Sequence, residues 1–124
     1  MESEDQGLLS LTRAFNKLLE LYNDNPQECI AAAHALLQKP DLPRYHRIKT
    51  LILLGSASED WDDAETCRLE AGKLWDDSHH HYSRIDDPGA SQVLAELRAE
   101  IDAFAKRQRE ELEGILWILT TDTK

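Results

Sequence analysis

Three consecutive imidazoles, His79, His80 and His81, follow the adjacent carboxylates Asp76 and Asp77, and Asp86 lies just beyond them. Imidazole and carboxylate together are the ligands of zinc, nickel and copper. On a helix, two side chains can share an ion when they stand three or four residues apart, so Asp76 with His80 and Asp77 with His81 have workable spacing. Neighbouring histidines point to different sides of a helix, which favours a solvated run. A weak metal site built from Asp76, Asp77, His80 and His81 is the alternative reading. Three imidazoles would make poor core, so the chain should be hydrophilic here.

Other chemistry is sparse. Cys29 and Cys67 lack the basic flank that would hold a thiolate, and one possible bridge defines no disulfide framework, so both read as small buried apolar residues. No glycine-rich phosphate loop, Gly-x-Ser-x-Gly or His-Glu-x-x-His occurs. The paired acids Asp62-Asp63 and Asp76-Asp77 are sequence neighbours, where they suit helix caps and solvent better than a shared pocket. A chain that is not an enzyme and carries no cofactor is therefore expected. The formal charge of −10, from 24 acids against 14 bases, opposes binding to a phosphate backbone and favours a basic protein or peptide partner. No apolar run approaches the roughly 20 residues of a membrane span, and Met-Glu-Ser-Glu-Asp is the opposite of a secretory leader. A cytoplasmic or nuclear protein that contacts neither membrane nor nucleic acid is the expectation.

The elements that must position these residues are helices throughout. Length, with 41% hydrophobic and 31% charged residues, suits one globular domain. The spacing predicts an all-α fold of antiparallel helical hairpins closed by a long C-terminal helix. Residues 1–7 read as a disordered acidic tail and 8–120 as the domain, with hairpins at 8–38 and 43–81 and the last helix at 88–120. Leu8, Leu11, Phe15, Leu18 and Tyr22 form one stripe, which ends at Asn23-Asp24-Asn25 before Pro26 opens the next helix. Cys29, Ile30, Ala32, Ala33, Leu36 and Leu37 make that second helix apolar nearly all round, as for an inner member of a stack. Pro40 and Pro43 break the chain again. In the third helix, Gly55 implies a close crossing by a neighbour, because glycine costs about 1 kcal/mol against alanine in a helix. Asp60 or Asp62 can cap the fourth helix, whose buried stripe reads Ala64, Cys67, Ala71 and Leu74.

The last helix carries the longest periodic signal. Val93, Leu97, Ile101, Phe104, Gln108, Leu112, Ile115 and Leu119 repeat at spacings of three and four, interrupted by one polar residue. Lys106, Arg107 and Arg109 alternate with Glu110, Glu111 and Glu113 on its solvated side. Such a helix can close the stack, the simpler reading, or pair with a second copy as a homodimer, with Trp117 on another side.

An offset of about 36 residues lays the Gln27–Leu37 helix over Asp63–Lys73, with Ala35 on Ala71. Asp60-Trp61-Asp62-Asp63-Ala64, with Ala71 seven residues on, Leu51 in the preceding helix and Pro40 at the close of the first hairpin, resembles the tetratricopeptide repeat. The stretch Arg44-Tyr45-His46-Arg47-Ile48-Lys49-Thr50-Leu51 is similar to one in tetratricopeptide-like domains of fungal proteins. Residues 8–78 carry the likeness. Ile52 and Gly55 depart from the repeat's usual glycine and aromatic residue. The resemblance implies a scaffold or adaptor whose first helices line a groove for a partner peptide or helix. His46, Lys49, Leu53 and Ser56 then face that groove. Leu53 stands where a carboxylate-clamping groove needs asparagine, so chaperone-tail binding is not expected.

Overall fold

A computed structural model describes residues 2–121, excepting the side chains of residues 2–6 and of Leu8, so the stripe position predicted for Leu8 lies outside the described residues. Five helices follow one another: α1 (Glu2–Asp24), α2 (Pro26–Leu37), α3 (Arg44–Ala57), α4 (Trp61–Tyr82) and α5 (Pro88–Thr121), with no strand among the described residues. The fold is all-α, two antiparallel hairpins closed by a long last helix. One boundary differs from expectation, since residues 2–7, read above as a disordered tail, continue α1.

The breaks fall where turn chemistry puts them. The Asn25 side chain accepts from the Glu28 amide at 3.3 Å, with Pro26 in the first turn of α2. The Asp60 carboxylate accepts from the Asp62 and Asp63 amides at 2.8 and 3.3 Å, and Asp87 from the Ala90 amide at 3.2 Å. Each cap satisfies amides that a helix start leaves without an intrahelical partner.

Each helix packs on its chain neighbours, and α3 also packs on α1 and α5, whereas α2 and α4 do not meet. The odd helices thus form one layer and the even helices another. The inner member is α3 rather than α2. Ile48, Thr50, Leu51, Leu53, Leu54 and Gly55 bury almost its whole circumference, while α2 buries Cys29, Ala33 and Leu36. The small side chains of α2 make it apolar all round without giving it four neighbours. Thr50 tolerates complete burial because its hydroxyl donates to the His46 carbonyl at 2.6 Å.

Small residues set the α3–α4 spacing. Ala64, Cys67 and Ala71 are buried on α4, Ala71 at 0% exposure. A Cβ on Gly55 would lie 2.6 Å from Phe104 Cε2 and 3.1 Å from Cys67 Cβ, so the predicted close crossing is made by both α4 and α5. The buried faces of α2 and α4 coincide at a shift of 38 residues, Cys29, Ala33 and Leu36 matching Cys67, Ala71 and Leu74; Ala35, which an offset of 36 sets on Ala71, is exposed.

Two indoles of α4 fasten α5. Trp61 Nε1–H donates to the Gln108 carbonyl at 3.2 Å, and Trp75 Nε1–H to the Leu94 carbonyl at 2.7 Å. Leu94, Leu97, Ile101, Phe104 and Gln108 form the covered side of α5, with Leu94 replacing the expected Val93. Beyond Gln108 the helix leaves the body, and every described residue from Arg109 to Thr121 is exposed. Leu112, Ile115 and Leu119 therefore do not help to close the stack. No helix among the described residues is long and apolar enough to cross a membrane.

Candidate functional site

The four positions on α3 lie along the odd-helix layer, where most of their polar groups already have partners. Lys49 Nζ holds both oxygens of Glu100 on α5, at 2.9 and 3.1 Å, and stands 5.9 Å from the Phe15 ring centre on α1. The Ser56 hydroxyl accepts from Arg107 Nη2 at 3.3 Å, again from α5. Leu53 belongs to the core. His46 and Lys49 share a shallow hollow of about 250 Å³ with Thr12, Phe15, Asn16 and Leu19 of α1. Ser56 lines a different hollow, beside Trp61 and Phe104. The structure therefore brings His46 and Lys49 together, keeps Leu53 in the core, and separates Ser56.

His46 is the unusual member. Its Nδ1 is buried without a hydrogen-bond partner, and burial holds the imidazole below its ordinary value of 6.5. The folded chain thus keeps the ring neutral in a range where the unfolded chain takes up a proton. Stability contributed by this group is complete above about pH 6.5, falls as pH drops below it, and stops falling once the folded imidazole also titrates. Urea unfolding between about pH 7.5 and pH 5 is expected to show a shallower decline for His46→Phe than for the parent chain. Parallel profiles would assign the decline to other groups.

At the end of α4, His79 leaves the run by stacking on Trp75, with ring centres 4.8 Å apart and planes 9° from parallel. The His81 ring meets Tyr82 edge-on at 4.9 Å. Asp76, Asp77, His80 and His81 are exposed, and among the described residues no group of three or more such side chains is placed to hold a metal. Asp77, His80 and His81 instead share a hollow with Arg44 and Arg84, whose charges oppose a cation. Both cysteines are buried and free. Burial, aided by Glu70 and Asp63, pushes the Cys67 thiol up to about 11; burial also raises Cys29, whose Sγ–H donates to the Leu18 carbonyl at 3.4 Å. Neither thiol has the character of a nucleophile.

The feature that periodicity alone does not reveal is the open end of α5. Leu112, Ile115, Leu116, Trp117, Ile118 and Leu119 are all exposed, Trp117 at 67%. Six large apolar side chains within eight residues are thus open together, the kind of exposed apolar surface that marks an interaction site. Leu112, Ile115, Leu116 and Leu119 lie on one side at spacings of three, one and three; Trp117 and Ile118 extend the apolar surface around the helix. A helix apolar on most of its circumference is ordinarily a buried one. No protein-family profile, curated protein or solved structure matches the chain.

Proposed function

We propose that this chain is a non-catalytic protein-interaction module, an adaptor of the tetratricopeptide-like helical-hairpin kind, that seats a helix of a basic partner against the open end of α5. The observation that carries this reading is the row of large apolar side chains from Leu112 to Leu119, continuous in spacing with the covered part of the same helix but exposed. The α3–α4 hairpin holds α5 as far as Gln108 and leaves the turns beyond it exposed, a division of labour that suits a scaffold. The net charge of −10 favours a partner with basic residues flanking its apolar stripe. The hollow at His46 and Lys49 offers less, because binding there would compete with the Lys49–Glu100 pair.

Affinity capture from the native cell with the full chain tests this. A reproducible partner is expected to be lost with the double variant Leu116→Asp/Trp117→Asp and kept with Lys49→Glu, while helix content and thermal midpoint stay unchanged for the double variant. Retention of that partner by the double variant overturns the reading. The spacing of Leu112, Ile115 and Leu119 also fits a coiled-coil seam, so a second copy is the other candidate occupant. Sedimentation then shows a dimer that the same two substitutions dissociate.

A further inference from the structure

At the opposite end of α5 from its open apolar turns lies a cleft of about 710 Å³, within the size range of small-molecule sites. Ile48 of α3 with Leu94 and Leu97 of α5 are buried in its wall, and Tyr45, Tyr82 and Val93 are its exposed sides. One polar group of the α4 end opens into the cleft. Ser78 is 6% exposed and lines the cleft, yet its hydroxyl has no partner among the described residues. Thr50 and Thr66 return theirs to the carbonyl four residues back, at 2.6 and 3.1 Å. The Ser78 oxygen opens into the cleft rather than being enclosed, so it is free to bond a ligand seated there.

Two arginines stand at the mouth of a chain that is otherwise strongly acidic. Arg44 and His81 line the cleft, and the adjoining hollow adds His80 and Arg84 against one acid, Asp77. Neither Arg44 nor Arg84 is in an ion pair among the described residues. Asp87, the acid of the cleft itself, accepts from the Ala90 amide, which orients its carboxylate without removing its charge. α3 starts at this mouth with Pro43 as its cap residue and no side chain accepting from its first amides.

We propose that this cleft binds a small amphipathic anion, with an apolar body on Ile48, Leu94 and Leu97 and a carboxylate or phosphate head at Arg44 and His81. The apolar wall supplies most of the affinity and the unpaired Arg44 guanidinium selects the sign of the head group. The site is independent of the partner surface on α5, since it uses the other end of that helix.

Calorimetry on the full chain, with amide chemical shifts followed by NMR, tests this with four twelve-carbon probes below their micelle concentrations. These are dodecanoate, dodecyl phosphate, dodecanol and dodecyltrimethylammonium. At least one of the two anions is expected to bind one to one, about tenfold or more tighter than the alcohol and the cation, a difference of one charge-assisted contact. Which anion binds better identifies the head group. Shifts should centre on Ser78, Leu94 and Leu97. Arg44→Glu, at an exposed position without a hydrogen bond, is expected to weaken the anion about tenfold or more while leaving the thermal midpoint in place. Ala90→Trp should fill the cleft and abolish binding. The proposal is overturned if the alcohol binds as well as the anions, if the shifts centre on residues 112–119, if Arg44→Glu leaves affinity unchanged, or if no probe binds.

Discussion

Phe104→Ala is expected to lower the free energy of unfolding by about 3–5 kcal/mol, the range for removing a buried aromatic ring, and to be the most damaging single truncation on α5. The ring is buried at the place where α5 crosses α3, and the absent Cβ of Gly55 is what makes room for it. Gly55→Ala is accordingly expected to destabilise the parent chain. It gains about 1 kcal/mol of helix propensity but forces a Cβ against Phe104 and Cys67, and overpacking of that kind costs about 1–3 kcal/mol. In the Phe104→Ala background the ring is gone and the propensity gain remains, so the same substitution should become neutral or stabilising. Urea unfolding of the four proteins measures the coupling directly. Additive effects would mean that Phe104 and Gly55 do not touch in solution.

Arg68→Ala is the second large effect, expected at about 1.5–3 kcal/mol, the range for a hydrogen bond to a charged group. Gln108 interrupts the apolar seam of α5 and is 4% exposed. Its Oε1 accepts from Arg68 Nε at 2.7 Å, while Arg68 Nη2 reaches Glu65 at 2.6 Å. Removing the guanidinium leaves the buried amide with neither end satisfied, because Gln108 Nε2 already lacks a partner. Gln108→Leu removes that liability at once and releases an arginine that water can reach, so it should leave stability unchanged or raise it by up to about 1 kcal/mol. In the Gln108→Leu background, Arg68→Ala should then cost little. A full penalty for Arg68→Ala in that background would trace its effect to Glu65 instead. The polar break in the seam thus fixes how α4 and α5 pair, more than it adds to their adhesion.

Much of the fold was readable from residue types because local and tertiary demands agree. Ala64, Cys67 and Ala71 are small where α3 and α4 meet, Gly55 is smallest where three helices converge, and Asn25, Asp60 and Asp87 each cap the helix that follows. What escaped had ambiguous periodicity. Val93 and Leu94 both keep spacings of three and four with the rest of the seam, and only packing selects Leu94. Alanines make α2 look enclosed, although the helix with neighbours on every side is α3, whose sequence includes the polar Thr50. Nor does a stripe state how much surface lies beneath it, so Leu112, Ile115 and Leu119 read as core until the body of the protein is seen to end near Gln108. Of the predicted groove on α3, the common helix face was legible, but the partners that occupy Lys49 and Ser56 come from α5, far along the chain. The cleft beside Ser78 joins three helix ends, a juxtaposition that no local pattern announces.

The two indole contacts between α4 and α5 have a mechanical corollary. Trp61 and Trp75 are 14 residues apart, and so are their acceptors Leu94 and Gln108, close to four turns in each helix. They work as a pair of pegs in matched holes, so α5 cannot creep lengthwise without dislodging both together, and a one-residue insertion between the pegs on either helix would misalign them. Separation has to proceed by peeling. Because Trp117 is already wet, any red shift of the emission spectrum on mild perturbation reports those two pegs alone, giving the molecule a built-in gauge of whether its last helix is seated.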